Sequence, residues 1–129
     1  MLQKKIAVLK VEPKQAPERV ELINELEALQ DAVSIGSDSR GLIELIALSD
    51  TALLLCNEEG KLLGLEPNRR VDEDIIAGVF YVVSGDEDGN LTSLSEEDFR
   101  FYEQRFREPE FISEEEMESI PLMQFFCEE

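Results

Sequence analysis

Histidine does not occur anywhere in the 129 residues. Its absence removes every Ser-His or Cys-His nucleophile pair and the usual transition-metal sites. Cysteine is nearly absent too, at Cys56 and Cys127 alone. Disulfide-stapled secreted domains carry more cysteines at regular spacing, so the expected compartment is a reducing one. Cys56 lies in an apolar run, and its nearest charged neighbours, Glu58 and Glu59, would raise a thiol pKa, so a core side chain is expected there rather than a nucleophile. No stretch approaches the roughly 20 apolar residues that span a bilayer. The opening MLQKKIAVLKVE is too short and too broken by lysine for a signal core. These absences lead to an expected cytoplasmic location.

Bases are also scarce: 12 stand against 30 acids, for a net charge of −18. The imbalance grows along the chain. Residues 1–50 hold nine acids and six bases, residues 51–107 thirteen and six, and residues 108–129 eight and none. Such a field repels nucleic acid and anionic membrane; it serves either simply to keep a small protein in solution or to attract a basic protein partner. No glycine-rich phosphate cradle occurs, and the segment GDEDG at 85–89 is acidic where a phosphate loop needs exposed amides and a base. Asp86, Asp88 and Asn90 alternate as in a calcium loop, but no register places both the glycine and the twelfth-position glutamate correctly, so a hairpin tip is expected. No metal or cofactor is expected. The acids cluster in four triplets, 72–74, 86–88, 96–98 and 114–116. Each has a local explanation, at a helix N-terminus or in a loop, and together they would also suit a phosphate-like row.

The remaining pattern is that of one α+β domain, a mainly antiparallel sheet with two packed helices over residues 1–112. An acidic and then apolar extension occupies residues 113–129. Lys5–Val11 reads as a strand, the prolines of 12–17 as a turn, and Arg19–Ile23 as a strand returning on the first. Asn24 with Glu27 forms a capping-box pattern before Leu26, Leu29 and Val33, one face of a helix. Leu42–Leu48 and Thr51–Cys56 read as a strand pair, Asn57–Gly60 as a turn, Lys61–Leu65 as a short strand, and Asp74–Val83 as a central strand in which Gly78 marks a bulge or close approach. Ser95 opens a second helix with inner residues Phe99, Tyr102 and Phe106, and Pro109 stops it. In the extension, Leu122, Met123, Phe125 and Phe126 are expected to pack on the domain or in a homodimer contact, since an exposed cluster of that kind is a liability.

The stretch Cys56-Asn57-Glu58-Glu59-Gly60-Lys61-Leu62, followed by Gly64-Leu65, Pro67-Asn68-Arg69 and Asp74-Ile75-Ile76-Ala77-Gly78, resembles the domain of unknown function 3846 family. The segments IAVLKVEP, ELEALQDAV and SLSEEDF extend the resemblance over residues 5–111. The chain departs from the family pattern in the loop SIGSDSRG and in its tail. The resemblance implies a bacterial phage, plasmid or conjugative-element setting, beside or fused to antirestriction proteins, and carries no activity with it.

The function expected from all this is a non-enzymatic accessory protein of a mobile element, acting in counter-defence on a basic host protein. The rival is a small-ligand-binding protein or enzyme that uses the Asn57–Gly60 and Pro67–Arg69 loops. Its site would comprise Asn57, Glu58, Gly60, Lys61, Asn68 and Arg69, which suit a small polar or anionic ligand. The same residues equally suit loop-closing bonds, with Arg69 paired to Glu58 or Glu66.

Overall fold

The computed structural model describes residues 4–35, 41–113 and 115–116. Its frame is set by strands whose side chains alternate between two buried faces. These are β1 (Lys5–Val11), β4 (Leu53–Asn57) and β7 (Phe80–Gly85). Two further strands, β2 (Glu18–Ile23) and β3 (Ile43–Ala47), close the edges, giving the order β2-β1-β7-β4-β3 with every neighbour antiparallel. The short β8 (Leu91–Thr92) pairs with β7. Val82, in the middle strand, stands between Leu9 of β1 and Leu54 of β4.

Both faces of this sheet are covered, which is why its central strands read as unbroken apolar runs. Ile6, Val8, Leu55, Tyr81 and Val83 meet Leu29 and Val33 from α1 (Leu26–Ala32) and its C-cap. The Tyr81 hydroxyl donates to the Ala32 carbonyl at 3.2 Å, at the end of that helix. On the other face, Leu9, Val11, Leu54, Phe80 and Val82 meet Phe99, Tyr102 and Phe106 from α2 (Glu96–Arg105) and its C-cap. The hairpin of β5 (Pro67–Val71) and β6 (Asp74–Ala77) adds Val71 and Ile76 to that second cluster. The Phe106 ring stands edge-on to Phe80 at 5.2 Å, a geometry worth about 0.5–1.5 kcal/mol beyond its buried area.

Helix α2 starts as its sequence implies: the Ser95 hydroxyl accepts the Asp98 amide at 3.1 Å, and three acids occupy the first turn. Arg19 of β2 ties this helix to the sheet edge. Its guanidinium donates to Glu96 and Glu103 and lies 4.5 Å over the Phe99 ring. Those bonds hold both carboxyls below the usual carboxylate range, so this contribution is present at neutral pH and is lost as pH falls through the depressed values.

Three local expectations change. Asn24 does not cap α1: the N-cap is Glu25, without a side-chain bond, and the Asn24 amide donates to the Leu91 carbonyl at 3.1 Å. Lys61–Leu65 is not a strand but part of the turn leaving β4, and the next strand is Pro67–Val71. Asp74–Val83 is two strands, β6 and β7, broken at Gly78, where φ is +84° and a Cβ would stand 2.8 Å from the Leu65 side chain. The tail residues Leu122, Met123, Phe125 and Phe126 lie outside the described residues. No helix among the described residues is long and apolar enough to cross a membrane.

Candidate functional site

Two clefts flank the hairpin of β3 and β4. The first, about 210 Å³, opens at the end of β4 and includes Glu44, Cys56, Asn57, Glu58, Gly60, Lys61 and Asp74 in its lining. The chain turns there because the Asn57 side-chain oxygen accepts the Glu59 amide at 2.8 Å, while its amide group donates to the Val33 carbonyl at 3.3 Å. The Leu65 amide closes the loop onto the Gly60 carbonyl at 3.0 Å. Gly60 is required by close approach: a Cβ there would stand 2.7 Å from the Ala77 carbonyl oxygen. Lys61 is ion-paired with Asp74, leaving Glu44 and Glu58 to set the sign of the cleft. That lining does not suit an anion.

Asn57, Glu58, Gly60 and Lys61 are therefore brought together, but Asn68 and Arg69 are not with them. Both are 0% exposed. The Asn68 amide donates to the carbonyls of Val11 and Gly78 at 2.8 and 2.9 Å, and its side-chain oxygen accepts from Arg69 at 2.8 Å. Arg69 also donates to the Phe106 carbonyl from Nε and Nη2, at 3.2 and 2.8 Å, and to the Gln15 carbonyl at 2.6 Å. Its guanidinium thus meets the negative end of α2 and carbonyls, not Glu58 or Glu66. Burial lowers its pKa, and the nearby Glu110 opposes that shift.

The second cleft, about 340 Å³, lies between the β3–β4 turn and the start of α2. Asp50, Thr51, Glu97, Asp98 and Phe101 line it, and Phe101 is 60% exposed. A smaller recess of about 170 Å³ shares Ser49, Asp50 and Thr51 and adds Asp86. The turn is held to the helix by a Thr51 hydroxyl bond to Asp98 at 2.8 Å. Two of the acidic triplets, 86–88 and 96–98, therefore converge around Asp50. Asp86 shapes its own hairpin tip by accepting the Asp88 and Asn90 amides, both at 2.9 Å, which lower its pKa. The sequence offered no signal for Glu44 or Phe101, because strand pairing and helix docking put them in place.

A family model, described as Domain of unknown function (DUF3846), matches residues 5–107. The chain belongs to this domain of unknown function 3846 family. The matched span runs from the first residue of β1 to just beyond α2 and contains both clefts and the interior Asn68–Arg69 pair. No curated protein and no solved structure matches the chain.

In this member of the domain of unknown function 3846 family, the cysteine of the first cleft is chemically quiet. Burial first, then Glu44 and Asp74, push the Cys56 thiol up to about 12. An unfolded thiol ionises near 8.5, so the stability Cys56 contributes is complete below that pH and falls as pH rises toward the folded value. Iodoacetamide at about pH 8 should leave Cys56 unmodified in the native chain and modify it in urea, as read by peptide mass mapping. Native labelling at the rate of a free thiol would show that the thiol is accessible and ionised.

Proposed function

We propose that this chain is a non-enzymatic interaction protein that binds a basic protein surface through the acidic end formed by Asp50, Asp86, Glu97 and Asp98 around Phe101. The observation that carries this reading is the distribution of partners. Six of the chain's bases, Lys10, Lys14, Arg19, Lys61, Arg70 and Arg100, are ion-paired within the chain, whereas none of those four acids has an ion-pair partner among the described residues. The field that remains outside is negative, and an exposed aromatic ring beside it supplies a face on which arginine or lysine stacks. A bacterial mobile-element setting, the one the family resemblance implies, is in keeping with this reading, since an acidic protein that occupies a host protein's basic surface would serve counter-defence. The rival small-ligand reading draws less support: the first cleft is below the roughly 300–1,000 Å³ usual for ligand pockets, and its lysine is already paired.

The test compares the wild type with an Asp50→Asn, Glu97→Gln, Asp98→Asn variant in affinity capture from bacterial lysate, at about 0.1 M and about 0.5 M salt. A basic protein held by the wild type should be lost both at high salt and in the variant. Capture that is indifferent to the three neutralisations would overturn the proposal. In parallel, no binding to duplex DNA is expected at physiological salt. A micromolar dissociation constant with a steep salt slope would contradict the charge argument.

A further inference from the structure

The two edges of the sheet are guarded differently. Strand β2 carries Glu18, Arg19 and Glu21, and charges of this kind discourage pairing with another chain. Strand β3, Ile-Glu-Leu-Ile-Ala, carries one charge and leaves Leu45 45% exposed, with Leu42 just before it 56% exposed. The Glu58 amide donates to the Leu42 carbonyl and the Leu48 amide to the Ala52 carbonyl, both at 2.9 Å. Even-numbered positions of β3 therefore bond inward to β4, and the alternation of an antiparallel ladder turns the amides and carbonyls of Ile43, Leu45 and Ala47 outward. Among the described residues, no strand pairs with that side.

We infer that β3 is a docking edge that accepts, by strand addition, an extended segment of a basic partner with alternating apolar side chains at its centre and lysine or arginine at both ends. This rests on the acidic-end reading above and names how that partner is held. Glu44 and Glu58, at the first cleft, mark the end of β3 that pairs with Asn57. The other end runs into the Ser49-Asp50-Thr51 turn of the second cleft, with Asp98 and Phe101 beside it. The strand between spans about 17 Å, so an added strand of matching length brings its two ends to carboxylates. Main-chain bonds then supply affinity, and the terminal charges supply selection. A second copy of this chain does not fit the edge: pairing β3 with itself antiparallel would set the Glu44–Glu58 end against Asp50 of the other copy.

The probe is a synthetic peptide, Lys-Arg-Thr-Val-Thr-Val-Thr-Val-Arg-Lys. Its control has each threonine replaced by proline, which keeps the charge and the valines but removes ladder donors. The first peptide should bind at least about ten-fold more tightly and slow hydrogen exchange at the Ile43, Leu45 and Ala47 amides. Leu45→Pro removes an outward amide, which an edge strand tolerates, and should abolish the difference between the two peptides. Equal binding of both peptides without protection at those amides would overturn strand addition while leaving the acidic-end reading intact. Binding of neither peptide, even at low salt, would count against both. Protection of the same amides in the free protein would overturn the proposal in favour of a second copy if it depends on concentration. If it does not, the occupant is the chain's own remaining residues.

Discussion

Replacing Arg69 with alanine should lower the unfolding free energy by about 3–5 kcal/mol, read as a shift of the urea midpoint. The side chain is wholly buried and donates to the carbonyls of Phe106 and Gln15 and to the Asn68 side-chain oxygen. Truncation leaves the buried Phe106 carbonyl and Asn68 side-chain oxygen without their donor, at about 1–3 kcal/mol for each group left unsatisfied, and opens a cavity as well. The expectation from sequence, an exposed ion pair worth about 0–1 kcal/mol, is too small because it placed this arginine in a surface loop. Arg69→Lys should recover little, since an ammonium on a flexible stem cannot reproduce the planar fork that spans Phe106, Asn68 and Gln15. A loss below about 1 kcal/mol for Arg69→Ala would mean that water or local rearrangement satisfies the acceptors.

Arg69 is held by contacts distant in sequence, whereas most of the frame is written locally. The strands that alternate between two buried faces were legible: Lys5–Val11 is β1, Arg19–Ile23 falls within β2 and returns on it, and the two apolar runs around Ser49-Asp50 are β3 and β4. Helix α2 was legible for a local reason, since its cap, its acidic first turn and its inner aromatics lie within a dozen residues of one another. Arg69 depends on acceptors 54 and 37 positions away, and no local pattern marks such a site. The same holds for Asn24, whose amide answers to Leu91 rather than to the helix beside it. Strand β5 was missed because Asn68, Arg69 and Arg70 read as loop residues, although the first two point their polar atoms into the interior and Arg70 pairs outward with Glu110 and Glu116.

The candidate sites divide along the same line. Asn57, Glu58, Gly60 and Lys61 were found because one turn gathers them, and the turn is written in consecutive residues. Glu44 completes that cleft by pairing with Cys56 across β3 and β4, and Asp74 does so from the start of β6, where it meets Lys61. The acidic end was visible only in pieces. Its triplets each have a local cause, and their meeting at Asp50 follows from the docking of α2 beside the β3–β4 turn, through Thr51 and Asp98.

Phe106→Ala is expected to be about as damaging as the arginine change, at about 3–5 kcal/mol, and for a connected reason. The ring packs edge-on against Phe80 and stacks near Tyr102, while the backbone carbonyl of the same residue accepts Arg69. One residue therefore fixes the C-terminal end of α2 to the sheet by apolar packing and by a charged bond together. If these act as a single unit, loosening either should weaken the other, and the double variant should cost less than the two single changes added. A domain of this size is stable by only about 5–15 kcal/mol, so the cycle is better run with Phe106→Leu and Arg69→Met, which disturb the fold less. A coupling of about 1 kcal/mol or more, from urea midpoints of all four proteins, is the expected result. Additivity to within about 0.5 kcal/mol would show that the ring and the guanidinium hold the helix end independently. The same variants separate anchoring from binding: Glu97, Asp98 and Phe101 ride on α2. Loosening its far end should therefore weaken capture of a basic protein while leaving the pairing of β3 with β4, which does not involve α2, nearly unchanged.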